Sequence, residues 1–349
     1  MERLQGLVKK YWNQILDLKN VVGVGCGYKE VDNEKTDDEA LVVLVEEKLD
    51  KNELESYEVV PEKVEDIDTD VIEVGELELL VPEIGQNKVN LAEIDRMKRS
   101  RPAQPGTSIG HYRISAGTFG AVVKDRKTGE SLILSNNHVL ANMSTGYDGR
   151  AKKGDPILQP GQHDNGERNR DVIGHLKRFS SLKRKTEPSS SAAIQGVENL
   201  LNGIGDVIKF PYLIKFVQKN KTNNLVDCAV AKPTSEDVIT DQILEIGKVK
   251  GVKQPQVGME VIKSGRTTGM TESRIKAVHA TVEVSITGSE KGVFDDQIIA
   301  EPFSKPGDSG SLILDRNYNA VGLLFAGSDK STVCNRINNV LDELKVEFV

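Results

Sequence analysis

A glycine-flanked serine near the end of the chain is the strongest chemical signal in the sequence. The tetrapeptide Gly307-Asp308-Ser309-Gly310 is typical of a tight turn that exposes a serine hydroxyl and gathers backbone N–H groups around a developing oxyanion. The same four residues also fit an ordinary glycine turn. Gly-x-Ser-x-Gly is absent because Ser311 occupies the last glycine position. No histidine follows Ser309, which excludes the nucleophile–acid–histidine order of α/β-hydrolases.

Two upstream residues supply the base and the acid that a serine nucleophile needs. His138 follows an apolar run in Leu132-Ile-Leu-Ser-Asn-Asn-His-Val-Leu, and Asp227 lies inside the apolar run of Asn224-Leu-Val-Asp-Cys-Ala-Val-Ala. An aspartate that enters a buried strand is costly unless it is hydrogen bonded, for example to the imidazole whose tautomer it fixes. Taken singly, a structural histidine at a strand end and a capping aspartate are the alternatives.

The periodicity of apolar residues predicts the elements that must position these side chains. A helix is predicted over residues 2–19 and strands over residues 21–28, 40–45, 70–74 and 77–81, separated by polar stretches, which together make a small α+β unit. From about Thr107 the chain turns to short β-branched runs punctuated by glycine, a pattern typical of a sandwich or barrel. Residues 179–222 interrupt it as an insertion with a helix over 194–208, and a short helix closes the chain.

Taken together, these motifs resemble those of the chymotrypsin-fold (trypsin-like) serine proteases over about residues 107–345. The family's histidine segment is matched by Asn136-Asn-His138-Val-Leu, and its aspartate strand by Val226-Asp227-Cys-Ala-Val-Ala. The nucleophile loop is matched by Gly307-Asp-Ser309-Gly. Lys263-Ser-Gly-Arg-Thr-Thr-Gly269 resembles a strand segment of bacterial secreted members. The nearest likeness is to bacterial non-secreted trypsin-like peptidases related to the plant narrow-leaf protease. It is carried by Asn20-Val-Val-Gly-Val-Gly-Cys-Gly-Tyr-Lys, Thr69-Asp-Val-Ile-Glu and Gln159-Pro-Gly.

The resemblance implies a mainly β fold, with a two-barrel chymotrypsin-like protease preceded by a small α+β N-terminal domain. Residues 1–103 would form the acidic N-terminal domain, which inhibits, chaperones or recruits substrate. Residues 104–240 would form the first β-barrel, with the insertion near 179–222, and residues 241–349 the second β-barrel and the C-terminal helix. The implied activity is that of a serine endopeptidase in which Ser309 attacks, His138 transfers the proton and Asp227 orients the imidazole.

The resemblance also assigns supporting residues around the nucleophile. The backbone N–H groups of Gly307 and Ser309 would form the oxyanion hole. The specificity pocket would be built by Phe303, Phe325, Ala326 and Gly327. Because Phe303 stands where trypsin-like members have an aspartate, small or apolar side chains are the expected preference.

A buried cation is expected to hold Asp308 and with it the active shape of the nucleophile loop. Lys263 is the first candidate and Arg266 the second. An internal cation of this kind predicts a protease that is competent without cleavage at its own N-terminus.

Composition and charge narrow the class of protein. The chain has 349 residues and a net charge of −7, but residues 29–76 alone hold 19 Asp and Glu against 5 Lys and Arg. That asymmetry suggests a solvated acidic surface or an acidic partner for a mildly basic catalytic body. With aromatic residues at 5% and no basic module, a nucleic-acid partner is not expected. Gly23-x-Gly25-x-Gly27 lacks the spacing that cradles a pyrophosphate.

The expected partners are protein or peptide substrates, with no metal or other cofactor and no membrane. Three widely spaced cysteines and an N-terminus without the features of a secretory signal favour a cytoplasmic location. The oligomeric state stays open, with a homo-oligomer as one alternative. A catalytically silent protease-fold binding module and an esterase on the same barrel are the alternatives to an endopeptidase.

Overall fold

A computed structural model describes residues 1–31, 34–82, 95–114, 116–189, 191–220, 222–288 and 290–349. The chain begins with helix α1 (Glu2–Leu16), whose buried face consists of Leu4, Leu7, Val8 and Ile15 at helical spacing. The predicted helix is confirmed, although it ends at Leu16 and not at Lys19. Asn20 has a φ of 65°, a left-handed conformation that turns the chain into the first strand.

Five strands follow α1 and build a sheet from the acidic part of the chain. They are β1 (Val21–Val31), β2 (Glu34–Val45), β3 (Lys63–Val64), β4 (Ile67–Glu73) and β5 (Glu78–Leu79). β1 and β2 pair antiparallel, and β4 adds to β2 in parallel. The polar residues after Tyr28, predicted to separate two strands, instead continue the ladder, since Tyr28 pairs with Glu39 and Glu30 with Lys35.

The next strands form a first sheet that closes on itself. They are β6 (Ser108–His111), β7 (Gly117–Thr118), β8 (Ala121–Asp125), β9 (Ser131–Ser135), β10 (Pro156–Leu158), β11 (Val172–Phe179) and, after the insertion, β14 (Ala229–Pro233), with helix α2 (Asn137–Leu140) after β9. The pairing order is β8-β9-β14-β11-β10-β6-β7. Because β7 continues into β8 across Phe119 and Gly120, the two ends of this order are one bent strand and the sheet is a barrel.

Residues between β11 and β14 form a small unit of their own. It contains β12 (Thr186–Pro188), helix α3 (Ala192–Val207) and β13 (Val217–Lys219), and β12 and β13 pair with each other as a two-stranded sheet. The helix predicted over residues 194–208 is therefore present, starting two residues earlier. Leu200 and Val207 on α3 are 64% and 83% exposed.

The last part of the chain makes a second closed barrel. Its elements are β15 (Gly251–Val252), β16 (Glu260–Gly265), β17 (Gly269–Thr287), β18 (Glu290–Ala300), β19 (Leu312–Asp315), β20 (Asn319–Gly327), β21 (Thr332–Arg336), α4 (Ile337–Leu344) and β22 (Val346–Phe348). The pairing order β16-β19-β20-β21-β18-β17 closes through a further β16–β17 ladder. β22 returns to the first sheet and pairs with β8. The predicted mainly β architecture, with two barrels preceded by a helix and strands, is confirmed.

The acidic strands continue the sheet of the second barrel. β1 pairs with β17, and β5 pairs with both β17 and β20. Ion pairs join the same surfaces, with Glu30 on Lys276 at 2.6 Å and Glu73 on Lys330. The acidic segment is therefore joined to the barrel by backbone pairing as well as by charge, while the domain boundaries at residues 103 and 240 stay predictions.

A half-buried carboxylate, Asp296, fastens α1 and α4 to the second barrel. Burial alone would raise the pKa of Asp296, but hydrogen bonds from His279, Asn339 and Arg336 outweigh it and lower this pKa to about 2. His279 is also within 3.1 Å of the Gln5 amide of α1. A group with a depressed pKa stabilises the fold above its unfolded pKa and loses that contribution as the pH falls through its folded pKa.

Asp296→Asn is therefore expected to lower the free energy of unfolding by about 2 kcal/mol at pH 7, because each pKa unit corresponds to about 1.4 kcal/mol. The difference from the wild type should shrink as the pH falls from 4 to 2. Urea denaturation of both proteins at several pH values measures it, with the exposed Asp342→Asn as the control. A difference that is independent of pH would contradict this prediction.

None of the helices in the described part of the chain is long and apolar enough to cross a membrane.

Candidate active site

The predicted base lies at the junction of β9 and α2, in the wall of the first barrel. Ser135, Asn136 and His138 are all buried, with His138 only 2% exposed. The amide of Asn136 donates to the backbone carbonyl of Asp227 at 2.8 Å and so ties this junction to the neighbouring strand. The end of an apolar strand, which the sequence indicated, is what brings the imidazole to the barrel edge.

The predicted acid contacts the histidine directly. Asp227 is fully buried just before β14; its Oδ2 lies 2.5 Å from Nδ1 of His138, and its Oδ1 accepts the backbone N–H of His138 at 3.2 Å. The side-chain oxygen of Asn335 accepts the backbone N–H of Asp227 at 3.0 Å. A carboxylate at Nδ1 makes that nitrogen the donor, and Nε2 then carries the lone pair needed to accept a proton.

Nε2 is the ring nitrogen of His138 that does not contact Asp227. It is buried and makes no hydrogen bond to any residue that the structure describes. Buried polar atoms are nearly always paired, and exceptions call for an explanation such as a catalytic role. An unpaired Nε2 of this kind is compatible with the base predicted from the sequence.

The predicted nucleophile sits in a glycine turn that packs against the first barrel. Ser309 is fully buried, and its carbonyl accepts the N–H of Thr118 at 2.7 Å. Gly310 has a φ of 94°, and a Cβ at that position would lie 2.1 Å from Oγ of Ser135, so no larger residue fits. Ser135 is separated from His138 by only two residues, and the turn therefore lies beside the imidazole segment.

The serine hydroxyl is not bonded to the histidine in this arrangement. Oγ of Ser309 donates to the backbone carbonyl of Phe325 on β20 at 3.1 Å. The structure thus brings the predicted acid and base together, and it places the predicted nucleophile in the adjoining wall with its hydroxyl turned toward β20.

One of the two predicted oxyanion donors is already occupied. The backbone N–H of Gly307 donates to the carbonyl of Leu80 at 2.8 Å. Leu80 follows β5, so this acceptor comes from the N-terminal part of the chain.

Asp308 lies in a closed polar cage beneath the turn. Its carboxylate accepts the backbone N–H groups of Thr267, Thr268 and Lys305 at 2.8–3.1 Å and the hydroxyl of Thr268 at 2.7 Å. Nζ of Lys263 lies 3.4 Å from it, and both side chains are fully buried. Burial lowers the pKa of Lys263, against the opposing effect of Asp308. The first-choice cation is therefore the one in contact with Asp308.

Arg266, the second-choice cation, has a different partner. Its guanidinium makes a two-point contact with Asp164 at 2.7 and 2.6 Å, and both side chains are nearly fully buried. The backbone N–H of Arg266 donates to the hydroxyl of Thr118 at 3.0 Å. This pair joins the two barrels next to the nucleophile turn.

The four residues predicted for the specificity pocket divide into two groups. Phe303 lines a cleft of about 770 Å³ beside the turn, together with Leu80 and Ser304. The ring of Phe325 instead packs at 4.9 Å from that of Phe294. Phe325 and Ala326 belong to an apolar cluster separate from that of Phe303. Of Phe325, it is the backbone carbonyl that contacts Ser309.

The roles of three residues near the site, Asn335, Asn136 and Leu80, were not evident from the sequence. Asn335 and Asn136 brace Asp227, and the apolar run that contains Leu80 predicted a strand but not its partner. A strand's own alternation reveals its buried face, whereas the ladder it joins is set by residues far away in the chain.

Comparisons with known proteins find solved structures that are similar to this chain. No family model matches the chain, and no curated protein does. Solved structures do: Thermobifida fusca protease A (16% identity, 70% of this chain and 97% of that chain, TM-score 0.44), a Cellulomonas bogoriensis chymotrypsin (16%, 70% and 97%, 0.41) and a Nocardiopsis protease (14%, 70% and 97%, 0.42). Each of these three neighbours is named as a protease or a chymotrypsin.

Proposed function

We propose that the chain is a serine endopeptidase that cleaves peptide bonds through His138, Asp227 and Ser309. The observation that carries this proposal is the buried contact of Asp227 with Nδ1 of His138, which leaves Nε2 buried and unpaired beside the serine turn. A purely structural histidine would be expected to satisfy both ring nitrogens.

The proposed chemistry gives each of the three side chains one role. Oγ of Ser309 forms a bond to the scissile carbonyl carbon while Nε2 of His138 takes the hydroxyl proton, and Asp227 stabilises the imidazolium. Collapse of the tetrahedral intermediate breaks the C–N bond, and the amine leaves with the proton from Nε2. Water then hydrolyses the acyl-enzyme by the same proton route. The N–H groups of Gly307 and Ser309 bind the oxyanion, each donor contributing about 10²–10³ in rate.

Aligning the serine requires one local change. The hydroxyl of Ser309 must leave the carbonyl of Phe325 and turn toward Nε2 of His138. The cage around Asp308 keeps the backbone of the turn in place while the hydroxyl moves. By resemblance, Lys263 is proposed as the buried cation that replaces a newly cut N-terminus.

The finer assignment is to bacterial, non-secreted, cytoplasmic trypsin-like peptidases related to the plant narrow-leaf protease. It is supported by the sequence motifs at residues 20–29 and 69–73. It is also supported by Cys26, Cys228 and Cys334, all of which are buried free thiols. Buried thiols without a disulfide framework are typical of a reducing compartment.

A fluorophosphonate probe followed by peptide mass mapping tests the proposed function. The expected result is a covalent adduct on Ser309 that forms much faster in the wild type than in His138→Ala, because only the wild type has a base for the hydroxyl proton. Ser273→Ala, which alters an exposed serine of β17, is the matched control and should label like the wild type. Labelling of Ser309 that is measurable and equally fast in the wild type and in His138→Ala would contradict the proposal.

A catalytically silent binding module is the second candidate. The hydrogen bond from Ser309 to Phe325 and the occupied N–H of Gly307 favour it, because neither group is aligned for attack as the chain stands. A silent module would bind peptides without labelling or turnover. An esterase on the same barrel would label but would cleave ester substrates and not the matching amides.

A further inference from the structure

Residues 78–80 of the chain lie along the edge of β20 next to the candidate nucleophile. Leu79 pairs with Ala326 and Glu78 with Gly327 in an antiparallel ladder. The backbone N–H of Leu80 donates to the carbonyl of Phe325 at 3.4 Å. An extended peptide that adds to a sheet edge is recognised in this way, through main-chain hydrogen bonds.

After this ladder, the carbonyl of Leu80 reaches one of the two predicted oxyanion donors, the N–H of Gly307. The oxygen of Leu80 accepts the N–H of Gly307 at 2.8 Å, which is where the oxygen of a scissile carbonyl would be held. The carbonyl carbon of Leu80 is thus the one that residues 78–80 present to the nucleophile turn.

The side chain of Leu80 fills the position expected for a substrate's specificity residue. It is 3% exposed and belongs to the same buried apolar cluster as Phe303, the predicted pocket floor. Its Cδ1 lies 3.6 Å from where a Cβ on Gly327 would stand, so it packs beside the pocket wall. An apolar side chain of leucine size therefore already occupies the apolar side of the cleft.

We propose that residues 78–80 are an internal pseudosubstrate that closes the cleft in the resting protein, with Leu80 in the primary specificity pocket. This inference rests on the proposed endopeptidase function. It identifies the substrates as peptides with leucine, or an apolar residue of similar size, before the scissile bond. It also assigns an inhibitory role to one short segment of the N-terminal part of the chain.

The same contacts explain why the segment inhibits rather than reacts. The N–H of Val81 donates to the carbonyl of Leu79 at 2.8 Å, which closes a tight turn centred on Leu80 and departs from the extended form of a peptide held for cleavage. The hydroxyl of Ser309 meanwhile donates to Phe325 and is not directed by His138.

The segment is also anchored upstream of the cleft. The N–H of Ser285 donates to the carbonyl of Leu77 at 2.8 Å, and the hydroxyl of Ser331 donates to the carbonyl of Val74 at 2.9 Å. These bonds hold the segment at a high local concentration, so a free peptide must compete with a tethered one. Activation therefore requires release of residues 78–80 from β20.

Leu80→Asp in the full-length chain tests the inference, because a carboxylate in the apolar pocket should expel the segment. The measurements are kcat/KM for a fluorogenic Glu-Leu-Leu-amide peptide and the rate of fluorophosphonate labelling. We expect both to rise at least tenfold. Leu4→Ala is the matched control: Leu4 lies in the same apolar cluster but on α1, so its truncation loosens packing without entering the cleft and should not activate.

A second variant and an inhibition measurement test the inference even if Leu80→Asp does not fold. Leu80→Ala is the milder variant in case Leu80→Asp unfolds, as judged by circular dichroism, and it should also activate. A peptide aldehyde with the sequence Glu-Leu-Glu-Leu-Leu should inhibit Leu80→Asp at least tenfold more strongly than the wild type, since only the wild type has a competing segment.

The outcomes separate the two proposals. A wild type that is as active as the folded Leu80 variants, or a library that disfavours leucine before the cleaved bond, overturns the pseudosubstrate while the endopeptidase stands. Absence of labelling and turnover in the wild type and in every folded Leu80 variant overturns the endopeptidase itself, and the pseudosubstrate with it.

Discussion

Ser309→Ala should lower kcat for a leucine-containing peptide by about 10⁴–10⁶-fold, because the variant has no atom to form the acyl-enzyme. The fold should survive, since the lost hydrogen bond from Ser309 to Phe325 contributes only about 1 kcal/mol. We suggest measuring single-turnover cleavage in the Leu80→Asp background, where the cleft is empty, and comparing urea denaturation of the same proteins.

Ser273→Ala is again the control, because it removes a hydroxyl that donates to the carbonyl of Glu301 at 2.9 Å. It should leave kcat within a factor of two or so of its parent. Turnover by the purified Ser309→Ala protein that persists at the parental rate would refute the assignment of the nucleophile.

Lys263→Met should both destabilise the protein and impair the nucleophile turn. Removing one partner of a buried ion pair typically costs about 3–5 kcal/mol, because the remaining charge stays desolvated. Here the remaining charge is Asp308, which would keep its four hydrogen bonds to residues 267, 268 and 305 but lose its only buried cation within 4 Å in the described chain. We expect kcat to fall at least tenfold with a smaller change in KM, since the turn carries the oxyanion donors.

A double variant separates charge balance from packing. Lys263→Met with Asp308→Asn removes both charges, so it should recover part of the lost stability without recovering kcat. Lys250→Met, at an exposed lysine, controls for the loss of a positive charge. If Lys263→Met kept the full fluorophosphonate labelling rate, Lys263 would not be a positioning residue for the turn.

Asp308 and Leu80 affect two different properties of the nucleophile turn, its shape and its accessibility to substrate. The cage around Asp308 is complete within the chain, consistent with the prediction that no cleavage at the N-terminus is needed to shape the turn. Access to that turn is a different matter, because residues 78–80 lie across it. We therefore expect activity to require the release of residues 78–80 from the cleft but not proteolytic cleavage at the N-terminus.

Both ion pairs and backbone pairing attach the acidic N-terminal part to the second barrel. Its net charge suggested an acidic partner for a basic body, and Glu30 and Glu73 do pair with lysines of the second barrel. Such partly exposed ion pairs are worth little each, typically under about 1 kcal/mol. The ladders of β1 and β5 on the barrel strands are therefore the stronger attachment.

The sequence by itself determined the residues that could do chemistry and the class of fold that holds them. Glycines on both sides of Ser309 indicate a tight turn, and an aspartate inside an apolar strand demands a buried partner. Both signals are local, because they depend on residue types within a few positions. For the same reason alternating apolar runs predicted most of the strands, and helical spacing predicted α1 and α4.

The tertiary structure alone decided which distant groups meet. Lys263 and Arg266 are equally basic in sequence, yet one contacts Asp308 and the other Asp164, because β16 and the turn after it aim their side chains differently. The short strand β5 carries too little pattern to specify its partner, and its contact with Gly307 spans more than two hundred residues. Strand pairing at that separation is set by the closed barrel, in which β19 pairs with residues 320–323 of β20 and leaves residues 326–327 for β5 to pair with on that side.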